Sequence, residues 1–360
     1  MCALLSARSA VVLEFLLEYG LFLAKSVTVL VVILVVIGSI AALAHKHRPH
    51  DDGHIEVKHL NQRFDNMRDA LREAVWSATE LKKQHKLDKK QEKQEKKQEK
   101  KNSDAEDESQ KHIYVLKFDG DIKASAVENL REEITTVLTM ATEVDEVVID
   151  LESSGGMVHT YGFAASQLDR VKSHDIPLTV CVDKVAASGG YMMACIADKI
   201  LAAPFAVMGS IGVVAQIPNF HRLLKKNEVD VEMLTAGEYK RTLTVFGENT
   251  ERDREKFRED LEDTHVLFKE FVKQHRPGVD IDQVATGETW YGTRALQKNL
   301  VDELLTSDEY LLQQSETAEI YEVVYREKKS IQEKFGLAAS GTVDRILSRV
   351  WERLSQRWNV

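Results

Sequence analysis

Hydrophobic positions change texture several times along this chain, and each texture predicts a different element. From Ser26 to Ala44 run 19 residues without a charge, "SVTVLVVILVVIGSIAALA". That length crosses a hydrocarbon core as a helix, and the run has no polar stripe that a soluble fold would use. It is too long for the apolar part of a cleaved signal, so it predicts a retained transmembrane helix over 26–45 behind a short N-terminal segment, 1–25. Arg8 and Lys25 before it, and Lys46, Arg48 and Lys58 after it, bias the C-terminal side only weakly toward the cytoplasm. Long domains also cross regardless of such charges, so the facing stays open.

Apolar residues next recur at Val57, Leu60, Phe64, Met67, Leu71 and Val75. Spacings of three and four predict an amphipathic helix or coil over 56–85, packed on the body or paired with its own copy. The Lys-, Gln- and Glu-rich run over 86–111 buries too little surface to fold and reads as a charged linker.

From His112 strand-like and helix-like stretches alternate. "IYVLKFDGDI", "VDEVVIDLESSGG" and "IPLTVCVD" predict strands, and "ASAVENLREEITTVLTMA" and "MVHTYGFAASQLDRVKSH" predict the helices between them. "SGGYMMACIAD" predicts a further helix, "KILAAPFAVMGSIGVVA" short strands about a turn, and "VDVEML" another strand. This order, with strands rich in branched residues, predicts an α/β fold: a mostly parallel sheet covered by helices on both faces. A long helix follows in "ENTERDREKFREDLEDTHVLFKEFVKQHRPG", with Asn249 or Thr250 as its cap and an apolar face of Phe257, Leu261, Phe268 and Phe271. The C-terminal stretch 341–360 sets Val343, Ile346, Leu347, Val350, Trp351 and Leu354 against Arg345, Arg349, Arg353 and Arg357. It predicts a basic amphipathic helix for an anionic membrane surface, a partner or its own domain.

Composition sharpens this picture little. The net charge of −10 argues against a nucleic-acid binder. Cys2, Cys181 and Cys195 make no disulfide framework, and no metal cluster or nucleotide fingerprint stands out, so no cofactor is expected.

Candidate chemistry lies in two glycine turns and one lysine. In "DLESSGG" a strand ends at Gly155-Gly156, and in "KVAASGGY" a second strand ends at Ser188, before Gly189-Gly190. Two such turns at the C-terminal ends of parallel strands converge on one crevice, where one N–H from each forms an oxyanion hole. Spacing alone also allows Ser188 to be an ordinary helix N-cap. The apolar run "DKVAASGGYMMACIAD" is not a second span, because Asp183 and Lys184 would fall at membrane depth. A serine nucleophile needs a base. His159 is the best placed histidine, and Lys240 in "TAGEYKRTLTVFGEN" is the stronger candidate. A lysine acts as base only when neutral, and moving it from about 10.4 to around 7.5 costs roughly 4 kcal/mol. On spacing alone Lys240 reads as a solvated surface lysine.

"DKVAASGGYMMACIADKI…MGSIGVV", followed 52 residues after Ser188 by "AGEYKR", resembles the signal peptide peptidase SppA family. The resemblance covers residues 113 to 310, and the anchor and linker by arrangement. It implies a crotonase-like (Clp-type) fold over 112–325 and a serine endopeptidase working through a Ser-Lys dyad at the bacterial inner membrane. Ser188 would be the nucleophile, Lys240 the general base, and Ser210 in "GSIGV" the residue that orients the lysine amine. Gly189 and Gly156 would supply the oxyanion N–H groups. The implied substrates are unstructured or hydrophobic peptides, such as remnants of leader sequences. Ser154 stands where the family pattern has proline, which leaves that turn freer before substrate binds. With one protease-type domain rather than two, a homo-oligomeric ring or dome is implied, with Lys240 acting in its own subunit or a neighbour's. Two readings from other classes remain: a crotonase-type enzyme acting on an acyl thioester, and a non-catalytic membrane scaffold.

Overall fold

The computed structural model describes residues 53–84 and 111–327, with parts of 19–32 and 86–90. The expected transmembrane helix lies largely outside the described residues, as do most of the linker and the C-terminal helix over 341–360. Among the described residues no helix is long and apolar enough to cross a membrane. One compact unit runs from His54 to Arg326.

Its core strands are β2 (His112–Gly120), β3 (Glu146–Ser153), β4 (Leu178–Val182) and β6 (Lys199–Ala202). They pair in parallel, and β4 is buried at every position, as a strand covered on both faces must be. One face carries α2 (Val127–Leu138) and α3 (Val158–Lys172). Each turns a stripe at helical spacing into the core: Leu130, Ile134 and Val137 from one, Tyr161, Ala164, Leu168 and Val171 from the other. The opposite face is a smaller cluster around Ile113, Val148, Cys181 and Leu201, covered by α1 (Leu60–Val75) and α7 (Ser307–Gln314).

β3 decides where chemistry can occur. Its first half, Val147–Asp150, pairs with Leu178–Cys181 of β4. Its last residue, Ser153, pairs instead with Ala186 of β5 (Val185–Ala187), so the sheet forks. β5 continues in parallel to β7 (Val207–Gly209), and β7 pairs antiparallel with β8 (Thr289–Tyr291). The turns after β3, β5 and β7 therefore open into one cleft.

The sequence expectations differ from the structure at two places. Val57 lies not in a helix but in β1 (His54–His59), opposite Val323 of β9 (Glu319–Arg326). β9 is bonded to β2 through its first half, and its other edge was open to a strand from elsewhere. The amphipathic helix starts at Leu60, which is buried, and Phe64 packs beside it, while Met67, Leu71 and Val75 stay exposed. The strand expected at "VDVEML" is absent: no described strand lies beside it, and Val229, Val231, Met233 and Leu234 are exposed. A strand needs a partner, and none is supplied there.

The long helix, α6 (Glu251–His275), begins as expected. Thr250 Oγ1 accepts from the Asp253 N–H at 3.2 Å, and the Thr250 N–H donates to Asp253 Oδ2 at 2.9 Å, a reciprocal capping box. Between β7 and α6 the chain makes a long strap over 213–249, which includes the short helix α5 (His221–Lys226).

Candidate active site

β5 and β7 are in register with Ala187 opposite Gly209, so Ser188 and Ser210 leave two adjacent strand ends side by side. The Ser188 N–H donates to the Gly209 carbonyl at 2.8 Å, and the Ser210 N–H to the Glu288 carbonyl at 2.7 Å. Both serines lie in the left-handed region, at φ 52° and 53°. Such backbone costs about 1–3 kcal/mol at a non-glycine residue and persists where its surroundings over-determine it.

Ser188 stands at the N-cap position of the six-residue helix α4, which starts at Gly189, and its carbonyl accepts the Met192 N–H at 2.9 Å. Its hydroxyl makes no capping bond, so the serine is not there as a side-chain cap. Among the described residues neither the Ser188 nor the Ser210 hydroxyl has a hydrogen-bond partner. Ser188 is half-buried at the lip of a cavity of about 20 Å³, walled by Val158, Met192, Val213, Thr264 and Phe268. Gly156 and Gly189 border the same cavity. That volume holds little more than one water-sized group.

The turn after β3 presses directly on Ser188. Gly155 takes φ 84°, and a Cβ there would stand 2.6 Å from Gly189 N and 2.7 Å from Ser188 Cβ. Only glycine allows both the dihedral and the approach. The N–H groups of Gly156 and Gly189 find no acceptor among the described residues. Two free donors thus border the cavity on which the Ser188 hydroxyl opens.

Lys240 is not among the residues that line the Ser188 cavity. Lys240 is exposed, in a turn closed by its own N–H on the Gly237 carbonyl at 3.3 Å. Its neighbours Glu238 and Tyr239 rest on Arg252 and Lys256 in the first turns of α6. The Ser188 cavity meets α6 at Thr264 and Phe268, and twelve residues of helix separate Arg252 from Thr264, about 18 Å.

The histidines fare no better. His159 is exposed and does not line the cavity. His265, next to Thr264, gives its Nε2 to the Ile211 carbonyl at 3.3 Å. Burial pushes the thiols of Cys181 and Cys195 well up, so neither offers a thiolate. Among the described residues no group of His, Cys, Asp and Glu could hold a metal ion.

Val213, Thr264 and Phe268 were not legible as site residues. Phe268 falls on the core stripe of a long helix, and only the packing of α6 across the fork turns it toward Ser188.

A forked α/β sheet with a strained Ser188 and unbonded backbone donors beside it is an arrangement suited to acyl transfer, and comparison with known proteins shows the class to be that of the peptidases. The family model described as "Peptidase family S49 N-terminal" matches residues 14–168, and "Peptidase family S49" matches residues 170–321. The chain belongs to peptidase family S49 and is a protease. It is 52% identical over 340 residues to the "Probable protease SohB" of Haemophilus influenzae, covering 93% of this chain and 96% of that one. It is 48% identical over 304 residues to the "Probable protease SohB" of Buchnera aphidicola subsp. Schlechtendalia chinensis, covering 83% of this chain and 99% of that one. The solved 1510-N membrane-bound stomatin-specific protease with a substrate peptide aligns at a TM-score of 0.37 and 15% identity. That alignment covers 57% of this chain and 80% of that chain. The family resemblance read from the Ser188 and Lys240 motifs is borne out.

Proposed function

We infer that this protease is a membrane-anchored serine endopeptidase in which Ser188 attacks the peptide and Lys240, from a neighbouring copy, is its base. The observation that carries this reading is the Ser188 turn itself: a strained serine with an unbonded hydroxyl beside the free N–H groups of Gly189 and Gly156. Neutral Lys240 takes the Ser188 proton as Oγ adds to the scissile carbonyl carbon. The two N–H groups hold the oxyanion of the tetrahedral intermediate. The resulting ammonium returns its proton to the leaving amine, and the acyl-enzyme is hydrolysed by a water that Lys240 deprotonates. Ser210, on the adjacent strand end, orients the amine.

A lysine serves as base only where desolvation favours its neutral form. The exposed strap offers no such cover, whereas a second copy seated on it would. The strap's surface supports that assembly: Val214 and Leu234 are each 92% exposed, and Phe220, Leu223 and Phe246 are also exposed. Substrates are unstructured peptides, and the 20 Å³ cavity favours alanine- or glycine-sized side chains before the cut. The uncharged stretch Ser26–Ala44 is the anchor, in a bacterial inner membrane.

The test is hydrolysis of short fluorogenic peptides by the detergent-solubilised full chain from pH 6 to 10. Ser188→Ala and Lys240→Ala are each expected to lose at least about a thousandfold in kcat. Mixing the two inactive variants is expected to restore a measurable fraction, because a mixed assembly pairs an intact serine with an intact lysine. Activity persisting in Ser188→Ala would sink the serine mechanism. Loss of activity in both single variants with no recovery on mixing would place the lysine in its own chain.

A further inference from the structure

Both halves of the oxyanion hole lean on one buried side chain that takes no part in the chemistry described above. Tyr161 on α3 is fully buried, and so, nearly, is Ser153 at the end of β3. The Tyr161 hydroxyl donates to the Asp121 carbonyl at 2.7 Å. Its single proton is thereby committed, so the 2.5 Å contact with Ser153 Oγ is a bond donated by the serine. Ser153 Oγ in turn accepts from the Gly155 N–H at 3.0 Å. The direction of the whole chain follows: Gly155 N–H to Ser153, Ser153 to Tyr161, Tyr161 to Asp121. Relays of this kind strengthen each member.

The other side of Tyr161 meets the second donor. A Cβ on Gly189 would lie 2.3 Å from the ring carbon Cγ of Tyr161, so that ring is the floor on which the Ser188-Gly189 turn rests. The loop that receives the Tyr161 proton also covers the glycine turn, since the Met157 N–H donates to the Ile122 carbonyl at 2.9 Å. A Cβ on Gly156 would meet that same carbonyl at 2.1 Å.

We propose that Tyr161 and Ser153 are positioning residues that set the separation of the Gly156 and Gly189 donors, the hydroxyl relay holding one turn and the phenol ring the other. The relay occupies the Gly155 N–H and leaves the Gly156 N–H to face the cavity. It also supplies the stiffness that a proline at Ser154 would otherwise bring to this turn. Burial pushes the Tyr161 phenol above its ordinary range, so the relay keeps its proton across the working range of a lysine base. The inference rests on the serine-protease reading and deepens it.

The experiment compares Tyr161→Phe, Ser153→Ala and the double variant in the full-length detergent-solubilised protein, with rates divided by active sites titrated with a fluorophosphonate. Each single is expected to lower kcat per site about ten- to a hundredfold with KM changed less than twofold. The double is expected to fall no further than the worse single, because both cut one relay. Affinity for a peptide boronate, which mimics the tetrahedral intermediate, should fall in step with kcat. A merely structural role predicts fewer titratable sites, a lower melting temperature and unchanged kcat per site, and that result overturns the proposal, as do additive losses. Activity surviving in Ser188→Ala removes the serine reading and this inference together. Ser188-dependent activity unaffected by Tyr161→Phe removes the relay alone.

Discussion

The Ser188 turn and the strap that carries Lys240 are opposites in construction. Around Ser188 the backbone is strained, the glycines admit no side chain, and buried groups such as Met193, Tyr191 and Ser153 lie close by. The strap over 213–249 is tied mostly to itself. Phe220 N–H bonds the Val245 carbonyl at 2.7 Å, and Asn219 Nδ2 reaches the carbonyls of Thr244 and Gly247 at 2.9 and 3.0 Å. Beyond that base most of its residues are exposed, including a run of large apolar ones. One chain thus holds Ser188 and the glycine N–H groups in place and leaves Lys240, the base in the proposed mechanism, on an exposed arm. A polar group that must stay in strict geometry is built into the core, and a group that needs desolvating waits for whatever covers it.

Changes that strike the rigid half should have the largest effect. Gly155→Ala puts a methyl 2.6 Å from Gly189 N at a φ that L residues avoid, and it should cost kcat at least about a hundredfold. Peptide hydrolysis per titrated site measures this, and retention of more than a tenth of the rate would show the turn to be more pliant than its contacts imply.

The strap should respond differently. Leu234→Asp alters a fully solvated position, so the melting temperature of the isolated chain should move by no more than about 0.5 kcal/mol of stability allows. Assembly and activity should drop together, by about tenfold, in sedimentation and peptide assays at one concentration. Unchanged sedimentation with full activity would remove the strap from the interface and sharpen the case for a lysine acting in its own chain.

The smallest effect on activity is expected far from both regions. Glu133 on α2 is buried, and burial raises its carboxyl to about 7, against the opposing bond from the Tyr325 N–H at 2.8 Å. Its folded pKa lies above its unfolded value of 4.5, so the folded protein binds the proton more tightly. The stability this contributes is whole below about pH 4.5 and is lost as pH rises through 7. Glu133→Gln keeps an acceptor for Tyr325 and should be the more stable protein above pH 7, by roughly 3 kcal/mol at most. Urea unfolding at pH 5 and pH 8 tests it: an equal pH dependence in both proteins would mean that the carboxyl stays ionised. Activity should be unchanged.

Much of this fold was legible because it is local or periodic. Runs such as "LTVCV" and the stripes of α2 and α3 place the parallel core, and Thr250 with Asp253 spells its own helix start. Gly155-Gly156 and Ser188-Gly189 were readable as turns at strand ends. Their convergence on one crevice was expected, but the direct packing of Gly155 on Ser188 and Gly189 was not, since it depends on β3 leaving β4 for β5 at Ser153. Tyr161 read as one more core residue, because its spacing to Ala164 and Leu168 is that of any buried stripe, and the partner of a buried hydroxyl is invisible in a linear pattern.

The sequence by itself therefore determined the elements whose signals close within a few residues: apolar periods, a helix cap, glycine turns at strand ends, and the family to which they belong. Tertiary structure decided everything that depends on a partner distant along the chain. It made Val57 a strand residue and left "VDVEML" without a ladder. It bent Ser188 into a conformation that no local preference favours and left Lys240 exposed, outside the lining of the Ser188 cavity. The physical reason is common to all four: a backbone pairing, a strained dihedral or a buried amine is stable only when other segments supply the bonds and the cover, and those segments are chosen by the fold.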